Sequence, residues 1–280
     1  MNQQQLQAKY LDLLRQYTET PMRPYDAFAF NTEFDRIECA MLDTPPPGCR
    51  KGLVLPGEME RPEAVPLLYS LTLEQASIRV MSDDEILAAI ADQNRTPPDS
   101  YVKVTLNQGS VGSCGAESAV GGLMCRRNQD GYDHITLNPY AVYSYTSGGA
   151  DRGSTLHDNL AVLQEVGCPS EAVWPRTKGW RTKPTSTALA DAARYRVARD
   201  GVIRIQNRRE FQTMVLAGYP VYFGYTGHAI FAVDLLDLTR FRYQNSWGAS
   251  WGANGRGTLT YDRIYWAYGV YAIIALRGEN

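Results

Sequence analysis

The chain is short of several features that would assign its class at once. Its 280 residues hold only five cysteines, Cys39, Cys49, Cys114, Cys125 and Cys168, scattered and without a C-x-x-C pair. An odd, dispersed set argues against a disulfide framework or a zinc site and points to a reducing compartment. No stretch approaches the roughly 20 apolar residues that cross a bilayer. The polar start Met1-Asn2-Gln3-Gln4-Gln5 has no basic flank ahead of an apolar core, so no secretory leader is expected. A net charge of −2 gives no electrostatic attraction toward nucleic acid or an anionic membrane, and neither is expected as a partner. Internal repeats and low-complexity tracts are lacking as well. A cytoplasmic, globular protein of one large or two small domains is the expectation.

What is present divides near Pro97-Pro98. Upstream, Leu6, Tyr10, Leu13 and Leu14 recur at helical spacing and predict an amphipathic helix. Pro45-Pro46-Pro47-Gly48 interrupts regular structure. Ser82 with Glu85 makes a capping box for a second helix that buries Ile86, Leu87 and Ile90. Residues 1–98 are therefore read as an N-terminal extension, a cap or prosegment, and residues 99–280 as a separate domain.

In that domain a helix opens at Cys114 and runs to about Arg127. Thr155 and Asp158 form a second capping box, and 209–217 is helical up to Gly218. The segments 221–223, 229–233, 240–244 and 258–261 read as strands between turns. Helices first and strands second predict an α+β fold, a helical lobe packed on an antiparallel sheet or barrel lobe.

Four polar side chains carry the chemistry. Cys114 follows Gly112-Ser113 at a helix start, where the helix dipole favours a thiolate. Alone, such a cysteine is more often a buried apolar residue. His228, one of three histidines, lies between Gly227 and an apolar run and would serve as base and then acid; alone it reads as a core histidine. Asn245 would orient that imidazole, and Trp247 would keep water from their bond. Gln108, six residues before the thiol, would offer its amide to an oxyanion alongside the Cys114 N–H. The segment N-S-W-G-x-x-W-G-x-x-G fixes Asn245, Ser246, Trp247, Gly248, Trp251, Gly252 and Gly255. At about one in twenty per position, chance agreement is of order 10⁻⁹ per start site.

From about 100 to 275 the sequence resembles the papain-like cysteine peptidases, closest in pattern to bacterial and viral members without a secretory leader. The resemblance rests on Gln108-Gly109-x-x-Gly112-Ser113-Cys114, Gly227-His228-Ala229 and the Asn245 segment, with weaker agreement over 166–175. It implies a two-lobed fold with Cys114 facing His228 and Asn245 across a cleft, and hydrolysis of peptide bonds through a thioester without metal or organic cofactor. Gly112, Ser113, Gly153, Ser154 and Trp247 become candidate substrate-binding residues, with Gly148-Gly149 as a possible addition. The sequence departs from the family in three places: Val111 replaces a cysteine, Gly115 replaces an aromatic residue, and only 114 residues separate Cys114 from His228. The missing length falls before His228, where a loop normally walls the cleft, so an open leaving-group side is expected.

Two other readings remain. One keeps the chemistry but directs it at peptidoglycan or an isopeptide. The other is a catalytically silent papain fold used for binding or assembly, for instance in a virus particle. The partner expected of an enzyme is a peptide or protein substrate; oligomeric state is left open.

Overall fold

The computed structural model describes residues 1–19 and 24–278. Helices α1 (Gln3–Glu19), α2 (Pro24–Asp43) and α3 (Asp83–Ala91) are followed by α4 (Cys114–Gln129), α5 (Pro139–Thr146), α6 (Leu156–Glu165) and α7 (Ser186–Ala192). Strand β1 (Val202–Arg204) and helix α8 (Arg208–Leu216) lead into β2 (Val221–Tyr225), β3 (His228–Leu235), β4 (Arg240–Gln244), β5 (Arg256–Thr260) and β6 (Tyr271–Ile273). The strands make one antiparallel sheet in the order β1-β6-β2-β3-β4-β5. The architecture is α+β, as the element order implies.

Side chains alternate across a strand, so each strand feeds two cores. Along β2 and β3, Tyr222, Ala229, Phe231 and Val233 join the cluster built on α4, α5 and α6. Val221, Phe223, Tyr225, Ile230 and Ala232 join a second cluster with α1, α2 and α8. Both faces of the central strands are thus covered, which is why they read as near-continuous apolar runs rather than a polar–apolar alternation.

The first 98 residues take part in both cores. Leu53 and Val65 lie in the first; Leu6, Tyr10, Leu13, Phe34, Ile37, Met41, Leu42 and Leu73 lie in the second. Buried Glu38 on α2 accepts hydrogen bonds from the Thr258 amide and hydroxyl of β5, and burial raises its carboxyl well above the usual range. Gln7 of α1 exchanges two bonds with the Gly252 backbone, at 2.7 and 2.8 Å, and so props the loop that follows Asn245. Ile37 is fully buried in the sheet-lobe core. Ile37→Ala is therefore expected to lower the stability of the whole sheet lobe by about 2–5 kcal/mol in urea unfolding; an unshifted midpoint would mean that the α1–α2 pair is only loosely applied.

Helix α3 begins at Ser82 with the full capping box and buries Ile86, but Leu87, expected on the buried face, is exposed. At Thr155 the hydroxyl accepts the Asp158 N–H, at 3.0 Å, which is the forward half of such a box. Helices α2, α5 and α7 and strands β1 and β6 were not anticipated. The two strands are three residues long, too short for alternation to show.

Candidate active site

Cys114 is the first residue of α4 and is fully buried. The backbone N–H groups of Ala229, Gly52 and Gly115 lie near its sulfur and favour the thiolate. The nearness of the Ala229 N–H sets the thiol beside the residue after His228, where helix α4 packs on strand β3. His228 opens β3, fully buried, and its Nε2 lies 2.8 Å from Asn245 Oδ1. Its other nitrogen, Nδ1, has no hydrogen-bond partner among the described residues. Trp247 stacks on the imidazole, centroids 4.4 Å apart and planes at 23°. That stacking excludes water from the His228–Asn245 bond and fixes the ring plane.

Asn245 is held in turn. Its N–H donates to Gly255 O at 2.8 Å, and its Oδ1 also accepts the Ser246 N–H at 2.7 Å. Gln108 is fully buried; its Oε1 accepts the Ser246 hydroxyl at 2.6 Å, and its N–H donates to Ser246 O at 2.9 Å. Gln108 and Asn245 are thereby both locked to a single residue, Ser246.

A buried ion pair braces the loop and the helix start. Glu117, in the first turn of α4, accepts from Arg176 at 3.0 and 2.8 Å and from the Ser113 hydroxyl at 3.3 Å. Arg176 also donates to Asn107 O at 2.7 Å and lies 4.7 Å over the Tyr140 ring. Burial raises the Glu117 carboxyl, and the Arg176 charge opposes it. Sequence reasoning missed this pair, because nothing in its spacing joins residues 117 and 176.

The cleft is filled by the protein's own chain. Residues 50–54 form a strap across it. Gln108 Nε2 donates to Arg50 O at 2.6 Å, Leu53 N–H to Gly227 O at 2.8 Å, Ser154 N–H to Gly52 O at 2.9 Å and Val54 N–H to Ser154 O at 3.1 Å. Leu53 and Ser154 make a parallel bridge. Three glycines allow this closeness. A Cβ on Gly52 would fall 2.1 Å from Gly112 O, and one on Gly153 would fall 2.2 Å from Gly52 O. Leu53 is buried, its tip over Gly224, next to the Tyr268 ring.

Burial dominates the protonation of both groups. Burial pushes the Cys114 thiol up to about 11, the Glu117 charge adding to it and the three backbone donors opposing it. Burial pulls the His228 imidazole down to about 3, opposed by the Asn245 bond and reinforced by the Lys51 cation of the strap. At neutral pH both groups are uncharged with the strap in place.

Of the residues expected to bind substrate, Gly112, Gly153 and Ser154 touch the strap, while Ser113 serves Glu117 and Trp247 serves the imidazole. Gly148 and Gly149 stand apart, lining a neighbouring cleft with Pro62 and Arg152. Gly115 has a structural reason to lack the aromatic side chain that the sequence resemblance led one to expect: a Cβ there would lie 2.6 Å from Asn159 Nδ2 and 3.1 Å from Ser154 Oγ. Strands β2 and β3 are joined by Thr226-Gly227 alone, both with positive φ (39° and 76°), a two-residue turn in place of a long loop.

No family model matches the sequence, and no curated protein sequence does. Among solved structures the chain is similar to xylellain, a cysteine protease from Xylella fastidiosa, at 19% identity and TM-score 0.55 over 78% of this chain and 99% of that one. Digestive procathepsin L 3 of Tenebrio molitor larval midgut aligns at 13% identity and TM-score 0.53, over 95% and 98% of the two chains. Procathepsin B S9 from Trypanosoma congolense aligns at 15% and 0.53, over 81% and 86%. The fold is that of the papain-like cysteine proteases.

Proposed function

We propose that this protein is a cysteine peptidase whose cleft is closed by its own residues 50–54. Cys114 Sγ attacks the scissile carbonyl after passing its proton to His228, and Asn245 keeps the ring in the tautomer that exposes Nδ1. Gln108 Nε2 and the Cys114 N–H stabilise the oxyanion. His228 then protonates the departing amine, and water resolves the thioester. The observation that carries this reading is the Gln108 amide already gripping a peptide carbonyl, that of Arg50, beside the buried thiol.

The strap survives in such a site because the group it turns to the sulfur is the Gly52 N–H, not a carbonyl carbon. It also suppresses the reactive ion pair by excluding water and by setting Lys51 near the imidazole. Displacing it would hydrate both groups and let the proton move from sulfur to nitrogen. Residues 1–98 are on this view an inhibitory segment that is also part of the fold.

The test is to incubate the full chain with a mixed peptide library and map new termini by mass spectrometry, before and after mild destabilisation of the strap. Cleavage at peptide bonds that iodoacetamide abolishes is expected. Intact peptides throughout would favour a silent binding fold, and cleavage confined to cross-linked peptidoglycan or isopeptide substrates would redirect the chemistry.

A further inference from the structure

The strap also offers a side chain to a seat beside the nucleophile. Arg50 places its carbonyl oxygen 2.6 Å from Gln108 Nε2, and its Nη1 lies 3.0 Å from Asp151 Oδ2. The Asp151 carboxylate is fixed from its other side: Oδ1 accepts the Gly112 N–H at 2.9 Å and the Tyr143 hydroxyl at 2.8 Å. The Tyr143 oxygen in turn accepts the Gly153 N–H at 3.0 Å. One carboxylate thus spans the two glycine loops that flank the strap, with its second oxygen aimed at the strap's cation. Its side chain is 19% exposed.

We propose that Asp151 is a specificity-determining residue that selects a basic side chain, arginine or lysine, on the substrate residue whose carbonyl Cys114 attacks. This rests on the peptidase reading above. The argument is that the oxyanion donor and the carboxylate are satisfied by one and the same residue. A substrate carbonyl seated on Gln108 with its Cα on the side that Arg50 occupies brings its own side chain within an arginine's length of Asp151. The other carboxylate near the thiol, Glu117, is already taken by the bidentate Arg176. When the strap leaves, Asp151 Oδ2 loses Arg50, and a substrate cation restores the pair.

The experiment uses the full chain carrying Gly52→Ala, which unseats the strap. Peptidyl chloromethyl ketones ending in arginine, lysine, norleucine or glutamate are compared for their rate of alkylating Cys114, and matching fluorogenic peptides for kcat/KM. The arginyl and lysyl compounds are expected to exceed the norleucyl ones by about two- to fivefold, as for a partly exposed ion pair, with glutamyl slowest. Asp151→Asn keeps an oxygen for Gly112 and Tyr143 but removes the charge, and should bring the arginyl-to-norleucyl ratio toward one. Equal rates with all four reagents, or a ratio unmoved by Asp151→Asn, would overturn the assignment while leaving the peptidase reading intact. Arginyl-selective alkylation without hydrolysis of any peptide would uphold the basic seat and sink the peptidase. Failure of every reagent to label Cys114 would remove both.

Discussion

In the full chain, Gly52→Ala is expected to speed iodoacetamide labelling of Cys114 by about 100-fold and to raise peptide hydrolysis in parallel. The added Cβ would sit 2.1 Å from Gly112 O and 2.4 Å from its carbonyl carbon and Cα. These are backbone atoms, so no side chain can rotate away. Nor can Gly112 withdraw freely, since its N–H is bound to Asp151 at 2.9 Å. The strap must lift, and it then forfeits the bonds of Arg50, Gly52, Leu53 and Val54 to the cleft walls. At about 0.5–1.5 kcal/mol net for each, loss of a few kcal/mol corresponds to a factor of order 10² in the open population. Mass spectrometry of the alkylated tryptic peptide reads the effect directly. Labelling as slow as in the parent chain, with secondary structure intact, would show that residues 50–54 are a structural element and not a plug.

The strap was not legible in the sequence, whereas the residues beneath it were. Gln108, Cys114, His228 and Asn245 stand in short motifs whose glycines and tryptophans have fixed geometric duties, so pattern alone brought them together. Gly112 and Gly153 were readable for the same reason: close backbone approach requires the missing Cβ. Arg50-Lys51-Gly52-Leu53-Val54 carries no period and no cap. Its conformation is set by the cleft it enters, through bonds to residues 108, 154 and 227 that are far away in the chain. Asp151 and the Glu117–Arg176 pair were missed on the same grounds, being tertiary pairs without a local signal. Helix α2 is a different case. Phe34, Ile37 and Met41 recur at helical spacing and are buried, so the information was there but unaccompanied by a cap. The α+β class, by contrast, followed from the order of the elements, helical patterns first and strand-like segments from 221 onward.

Cys114→Ala, introduced into the Gly52→Ala chain, is expected to abolish hydrolysis, and Asn245→Ala to reduce kcat by about 10²–10⁴ through loss of the correct imidazole tautomer. The distinguishing measurement is the pairing of changes. If sulfur and imidazole act as one unit, Cys114→Ala combined with His228→Ala should be no worse than Cys114→Ala alone. A buried thiol that merely filled space would behave otherwise: alanine there would cost a little stability and leave turnover intact. The same logic separates Asn245 from a simple turn residue. Its side chain receives the Ser246 N–H and meets His228 Nε2 at 2.8 Å, so Asn245→Asp, which preserves an oxygen at that position, should recover part of the rate lost by Asn245→Ala. Equal loss in both variants would reduce Asn245 to a scaffold for the loop. Residual hydrolysis in the Cys114→Ala chain at the rate of its Gly52→Ala parent would transfer the chemistry to some other group altogether.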